Sequence, residues 1–170
     1  MERLIWIERK FAFDLPDWMF PNVVERIRGT PSRLEDRVRN LSREILTRKE
    51  NEKWSVQEQA GHLLDLENLN LLRMDEYEAG RNELTPADIH NRKTHEAGYN
   101  EKSIDSILRA FRATRLTFVK RLDSVSPELV GRSALHPRLK TPMRLIDYVY
   151  FIAEHDDHHL ARISDLLRML

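Results

Sequence analysis

Apolar residues recur every three or four positions along four stretches of the chain, which is the spacing of one buried face of an α-helix. Alternation of the kind found in β-strands is scarce. The predicted helices run from Pro31 into the charged stretch 48–53, from Ser55 to about Ala79, from near Ser103 through Leu122, and from Thr141 to the C-terminus. Four amphipathic helices in a chain of 170 residues predict an all-α protein, a four-helix bundle formed by one domain over residues 1–170.

Local signals fix several of these helix ends. Ser55 and Glu58 have the S-x-x-E spacing of a capping box, and Gly80 is placed to end the same helix. Thr141 and Pro142 read as the cap and first turn of the last helix. We predict that residues 1–30 form an irregular lead-in with a short helical turn near 23–27. The polar segment 81–100 is long for a loop, and such loops are often functional or mobile. Up-down and crossover topologies both fit these connections.

Composition removes several classes of function. Lys plus Arg and Asp plus Glu are 28 each, so the total charge gives no support for nucleic-acid binding. Cysteine is absent, which excludes disulfides, thiolate catalysis by the chain and any cysteine-ligated metal. No apolar run reaches the roughly 18 residues that a membrane span needs. The N-terminus interleaves apolar and charged residues, unlike a secretory signal, so we expect a cytoplasmic protein without membrane or nucleic-acid partners.

The histidines give the sharpest chemical hypothesis. His155 and His159 are one helical turn apart, a spacing that suits two ligands of one metal ion. On a helical wheel of about 100° per residue, both lie at or near the apolar stripe of the last helix, whereas His158 points outward. His62 lies at the edge of the stripe of the second helix. Three imidazoles converging between these helices would form a metal site with open positions for water or substrate.

Two carboxylates share these apolar stripes. Asp156 falls in the middle of the stripe of the last helix, and Glu67 lies inside that of the second helix. A buried carboxylate is costly unless it is paired or hydrogen-bonded. Either residue is a candidate catalytic base or an acceptor that orients an imidazole, and Asp156 is also a candidate fourth ligand. The alternative is that Glu67 and Asn70 are only interior polar groups that bond across helices. The remaining histidines are expected to be solvated in loops: His90, His95 and His136.

Two motifs resemble the DinB/YfiT-like superfamily. The stretch KWSVQE at 53–58, followed by GHL at 61–63, is similar to its W-S-x-x-E…H-L signature. The stretch EHDDHHLARI at 154–163 is similar to its C-terminal H-x-x-x-H segment, and residues 11–33 also look like one branch of the family. The resemblance covers nearly the whole chain in the expected order. It implies a DinB-like four-helix bundle with a divalent metal ion, commonly zinc or nickel, on residues that match His62, His155 and His159.

The resemblance also implies a homodimer and a small-molecule substrate, in some relatives together with a low-molecular-weight thiol such as bacillithiol or mycothiol. The leading hypothesis is therefore a metal-dependent enzyme, either a transferase that activates a thiol cosubstrate or a hydrolase that activates water. Substrate would enter past segment 81–100. One rival hypothesis is a non-catalytic metal- or ligand-binding protein, and another is a structural bundle whose histidines only form interior hydrogen bonds.

Overall fold

The computed structural model describes residues 4–169 and consists mainly of helices. In chain order these are α1 (Phe20–Arg28), α2 (Thr30–Val38), α3 (Arg43–Thr47), α4 (Val56–Glu78), α5 (Arg92–Glu96), α6 (Ile104–Leu122), α7 (Pro127–Val130) and α8 (Leu145–Arg168). Short 3-10 turns lie at Trp6–Glu8, Asp17–Met19 and Tyr99–Glu101. A two-stranded antiparallel hairpin, β1 (Ser133–His136) and β2 (Thr141–Arg144), precedes α8, and its register pairs Ser133 with Arg144. Within the described residues, no helix is long and apolar enough to span a membrane.

Helices α4, α6 and α8 form three corners of the bundle, and the consecutive helices α1 and α2 together fill the fourth. Helix α4 packs against α6 and α8, and the α1–α2 pair packs against the same two helices from the other side. Thr30 and Pro31, both buried, stand at the first two positions of α2, where a proline costs no helical hydrogen bond. The predicted all-α four-helix bundle is confirmed.

The apolar core has two parts that a layer of charge separates. One cluster packs around Met74 on α4, Phe118 on α6 and Val149 on α8. The other contains the opposite halves of the same helices, from Val56 to Leu63, from Ile107 to Phe111 and from Leu160 to Ile163. Between them along α4, α6 and α8 lie Glu67, Arg115 and Asp156, at most 1% exposed. The polar positions that interrupt each helical stripe therefore meet at one level of the bundle.

Several predicted boundaries are confirmed. The capping box is present, since Ser55 Oγ accepts a hydrogen bond from the Glu58 amide at 3.1 Å and Glu58 Oε2 accepts one from the Ser55 amide at 2.8 Å. Gly80 follows α4 with a φ of 67°, a conformation that glycine adopts without strain. The lead-in is irregular up to the 3-10 turn at Asp17–Met19, although the predicted turn at 23–27 is the centre of a full helix, α1.

Two predictions about elements are wrong, and a third segment has more structure than its sequence indicated. The first predicted helix is two helices, because the chain turns at Asn40, whose φ is 66°, before α3 begins. Thr141 and Pro142 lie in β2, and α8 begins only at Leu145, where Asp147 Oδ2 accepts hydrogen bonds from the amide and Nε of Arg144. Segment 81–100 is partly ordered: it contains α5, and its first residues add a bridge between Glu83 and Leu135 to the hairpin.

Candidate metal centre

Three histidine side chains converge between α4 and α8. His62, His155 and His159 each place a ring nitrogen within 4.8 Å of the other two. The ring centroids are 4.4 Å apart for His155 and His159, 4.8 Å for His62 and His159, and 5.4 Å for His62 and His155. His62 and His159 are 4% and 7% exposed, and His155 is intermediate. The three histidines that the helical wheel predicted to converge lie together in the structure.

Hydrogen bonds fix which nitrogen of His62 is free. Its Nδ1 lies 3.0 Å from Thr94 Oγ1, on α5. The Thr94 hydroxyl donates to Asp65 Oδ2 at 2.9 Å, and Tyr99 donates to the other oxygen of Asp65 at 2.7 Å. Because the Thr94 proton is used toward the carboxylate, its oxygen accepts the Nδ1 proton of His62. Nε2 of His62 then carries the lone pair, which is the state a metal ligand requires.

His159 is oriented in the same way by a neighbour on α4. Its Nδ1 is 2.6 Å from Gln59 Oε1, and an amide oxygen only accepts, so Nδ1 carries the proton. Nε2 of His159 faces Nε2 of His155 at 3.1 Å. Two imidazole nitrogens on one tetrahedral zinc ion lie about 3.3 Å apart, given zinc–nitrogen bonds of about 2.0–2.1 Å. The pair therefore already has close to the spacing of two ligands.

Burial keeps these imidazoles neutral. It lowers the pKa of His62 to about 4, although the carboxylate of Asp65 acts in the opposite direction. Burial also lowers the pKa of His159 well below its usual range, and the neighbouring His155 and His62 add to the effect. Neutral imidazoles whose distal nitrogens are backed by acceptors are what a divalent metal ion needs from histidine. The residues present therefore fit a metal ion.

Two tryptophans flank the cluster. The Trp54 ring lies 4.7 Å from that of His62, and the Trp6 ring lies 4.9 Å from that of His155. The cluster lines a cavity of about 1280 Å³, which is large enough for a substrate together with a cosubstrate. Residues 83–89 and Asn91 of the polar segment and residues 4–7 of the lead-in also line this cavity. The segment expected at the entrance is thus part of the cavity wall.

Arg115 on α6 occupies the charged layer behind the histidines and was not predicted. Its Nε and Nη2 donate to the two oxygens of Glu67 at 2.9 and 2.7 Å. Its Nη1 donates to Asp156 Oδ2 at 2.5 Å and to the carbonyl of Ile27 at 3.0 Å, and Nη2 also reaches Asp156 Oδ1 at 3.2 Å. Five contacts use the five donors of a guanidinium. Although burial opposes it, the two carboxylates raise the pKa of Arg115.

Glu67 and Asp156 therefore face Arg115. Asp156 also accepts a hydrogen bond from Thr30 at 2.7 Å, and Glu67 accepts one from Asn70 at 3.1 Å. Burial raises the pKa of Glu67, and Arg115 partly offsets this shift. Among the described residues, the group that could hold a metal ion consists of the three histidines and contains neither Glu67 nor Asp156. Asp156 would have to leave Arg115 before it served as a ligand or a base.

The other histidines follow the predictions in part. His90 and His95 are exposed, as expected, although His95 lies in α5 and not in a loop. The prediction for His136 is wrong, because β1 places it in the cavity wall at 3% exposure. His158 is only partly exposed, since the Trp6 ring lies 5.7 Å away and covers the side that was expected to face solvent.

A four-helix bundle with three histidines converging on one cavity defines the class of this protein. Residues 26–163 match the DinB superfamily, and the chain belongs to that family. Among curated proteins no sequence matches it. Both the recognition from the motifs at 53–63 and 154–163 and the fold that it implied are confirmed.

Solved structures support the same fold. YfiT from Bacillus subtilis, described as a probable metal-dependent hydrolase with an unusual four-helix bundle topology, is 17% identical with a TM-score of 0.84, over 95% of this chain and 93% of that one. A mycothiol-dependent maleylpyruvate isomerase is 11% identical with a TM-score of 0.68. That match covers 89% of this chain but 62% of the isomerase. At these identities the likeness shows the fold.

Proposed function

We propose that this protein is a metal-dependent enzyme that holds one divalent cation, zinc or nickel, on His62, His155 and His159. The convergence of three imidazoles on a large cavity, two of them oriented by hydrogen bonds from Nδ1, carries the proposal. A bound cation would act as a Lewis acid that lowers the pKa of a thiol or of water at neutral pH. Because the chain has no cysteine, a reacting thiol has to come from a cosubstrate.

Two activities fit this site, a thiol-dependent transferase and a hydrolase acting on a small molecule. The similar structures include one protein described as a probable metal-dependent hydrolase and one described as mycothiol-dependent. The cavity favours the transferase, since its volume exceeds what one drug-sized ligand commonly fills. For Glu67 and Asp156 we propose a positioning role: through Arg115 they hold α4 and α8, and thus the ligand histidines, at a fixed separation.

The first experiment measures metal content by elemental analysis in the purified chain and in His62→Ala, His155→Ala and His159→Ala. The matched control is His158→Ala, which removes a neighbouring imidazole outside the cluster. We expect one metal per chain, lost in the three ligand variants and kept in the control. A native chain that stays empty after refilling with zinc and nickel salts would refute the proposal.

A second experiment decides between the activities. Metal-loaded protein is incubated with a panel of thiols and electrophiles and with a panel of esters and amides, and His62→Ala gives the background. Thiol consumption above that background supports the transferase, and ester or amide cleavage without thiol supports the hydrolase. Metal binding without either reaction would mean a non-catalytic metal protein.

The homodimer and the cytoplasmic location stay predictions. Light scattering coupled to size-exclusion chromatography measures the mass in solution. A mass of 20.2 kDa, that of one chain, would contradict the dimer.

A further inference from the structure

A second polar cluster lines the same cavity away from the three histidines. Arg73 comes from α4, whereas His136 and Arg138 come from the β1–β2 hairpin. Arg73 and His136 are each 3% exposed, and Arg138 is intermediate. The sequence analysis expected a solvated His136 and assigned no role to either arginine. The burial of His136 beside two cationic side chains calls for a separate explanation.

Among the described residues, neither guanidinium group forms an ion pair with the carboxylates that also line this cavity. Arg73 donates from Nε and Nη2 to the carbonyl of Thr85, at 2.9 and 2.7 Å. Arg138 donates from Nη1 to the carbonyl of Ile7 at 3.4 Å, whereas its Nη2 is buried and has no hydrogen-bond partner among the described residues. Within residues 4–169, the ion pairs formed at 4.0 Å or less include neither arginine, in contrast to buried Arg115, which faces two carboxylates. Buried charge of this kind is costly unless an anion joins it.

The neutral ring of His136 adds a further hydrogen-bond donor to this cluster, next to the two arginines. Nδ1 of His136 accepts a hydrogen bond from the Leu139 amide at 3.2 Å, so in the neutral ring the proton is on Nε2. Burial, with Arg73 and Arg138 adding to it, lowers the pKa of His136 to about 3, which keeps the ring neutral. Nη1 of Arg73 lies 3.5 Å from Nε2 of His136. Two donors therefore face each other, and an acceptor oxygen that lies to one side, within hydrogen-bond distance of both nitrogens, would satisfy both.

We propose that this cluster is an anion-binding subsite, and that the substrate carries a carboxylate or a phosphate held by Arg73, His136 and Arg138. Three donors are available to such a group: Arg73 Nη1, His136 Nε2 and Arg138 Nη2. A guanidinium binds planar and tetrahedral oxyanions through charge-assisted hydrogen bonds, which are among the strongest in proteins.

The position of the subsite relative to the histidines follows from Phe151 on α8. Its ring lies 5.3 Å from that of His136 and 5.7 Å from the Arg138 guanidinium carbon. The same ring lies 5.1 Å from that of Trp6, which in turn contacts His155. His155 is one helical turn beyond Phe151. The substrate class is therefore an anion with an apolar middle that packs on Phe151 and a reactive group directed toward the three histidines.

The assignment of the reactive end rests on the proposed function, but binding of the anion does not. The experiment is isothermal titration with benzoate and with phenyl phosphate, which separate the two anion chemistries, and with benzamide as the neutral analogue. It is carried out on the metal-loaded protein and again after chelation. The variants are Arg138→Gln, Arg138→Lys, His159→Ala and, as a matched control at a distant exposed arginine, Arg168→Gln.

We expect at least one of the two anions to bind once per chain, and benzamide to bind more weakly. A hydrogen bond from a charged group contributes about 1.5–3 kcal/mol, so Arg138→Gln should weaken anion binding about 10- to 100-fold. Arg138→Lys should recover part of the affinity, and Arg168→Gln should change nothing. Binding that survives chelation and His159→Ala belongs to the subsite even if the metal proposal fails.

Three results would overturn the subsite. One is the absence of binding of both anions, and another is equal affinity of the native chain and Arg138→Gln. The third is binding that disappears with the metal while Arg138→Gln leaves it unchanged, because the anion would then bind at the histidines. Failure of the proposed function is recognised by a different result, namely the absence of metal from the native chain.

Discussion

Replacing Arg115 with methionine removes the guanidinium from between Glu67 and Asp156 and keeps the length of the side chain. The two carboxylates are 0% and 1% exposed, so water does not replace the lost donors. Removing one partner of a buried ion pair costs about 3–5 kcal/mol. An independent estimate agrees: protonating one carboxyl at pH 7, to avoid a buried unpaired charge, costs about 4 kcal/mol from its usual pKa. We expect Arg115→Met to lower the free energy of unfolding by about 3–5 kcal/mol.

Urea denaturation followed by circular dichroism measures this loss. The matched control is Arg112→Met, one turn earlier on α6, whose ion pair with Glu35 has a side chain 42% exposed and should contribute less than about 1 kcal/mol. Arg115→Lys keeps the charge but not the fork of donors, so it should fall between the native chain and Arg115→Met. It also keeps the test usable if the methionine variant does not fold.

The same reasoning predicts how the loss depends on pH. In Arg115→Met a carboxyl is protonated in the folded state and ionised in the unfolded state, so the folded state binds more protons at pH 7. Lowering the pH then stabilises the variant relative to the native chain, by up to about 1.4 kcal/mol per pH unit. A loss below about 1 kcal/mol, or one that does not shrink toward pH 5, would show that Arg115 does not compensate these carboxylates.

Two further predictions concern the cavity. Gln59→Ala removes the acceptor of the His159 Nδ1 proton and should weaken metal binding about 10- to 100-fold, as competition with a chromogenic chelator will measure. Gln59→Glu keeps an acceptor and should not weaken binding. Equal metal affinities of the native chain and Gln59→Ala would contradict the orienting role of Gln59. Because burial, together with Arg73 and Arg138, lowers the pKa of His136 to about 3, the unfolded chain takes up a proton below about pH 6.5 that the folded chain does not. His136→Gln should therefore reduce the loss of stability on acidification by up to about 1.4 kcal/mol per pH unit. Urea denaturation between about pH 7 and 5 measures the free energy of unfolding at each pH. The same dependence of this free energy on pH in the native chain and in His136→Gln would contradict the lowered pKa.

The histidine cluster was predictable because helical periodicity alone decides which side chains share a face. His62, His155 and His159 lie on long helices whose stripes are clear, and the capping box at Ser55 fixed where α4 begins. Arg115 carried the same kind of signal: it falls between Phe111 and Phe118 on the buried face of α6. An arginine on an amphipathic helix is normally taken for a surface residue, and only its two distant carboxylate partners explain its burial.

The features that were missed depend on pairing between separate parts of the chain. The strands β1 and β2 have four residues each, too few for alternation to be visible, and Pro142 suggested a helix start instead. Hydrogen bonds of the hairpin to residues 82–84 complete its edge, and local sequence does not encode such contacts. Since His136 belongs to that hairpin, its burial could not be predicted while the segment was read as a loop.

Because the hairpin before α8 carries part of the proposed anion subsite and none of the three clustered histidines, sequence changes in it can alter substrate recognition without altering the histidine cluster. The histidines stand on α4 and α8, which the charged layer and both parts of the core hold in place. His136 and Arg138 stand instead on the hairpin that connects α7 to α8, which contributes only Ala134 and Met143 to the buried core clusters of the described residues. Lengthening a connector costs little, because loop entropy grows only with the logarithm of its length. Grafting a different hairpin between α7 and α8 would therefore exchange the recognised part of the substrate while the reactive centre is kept.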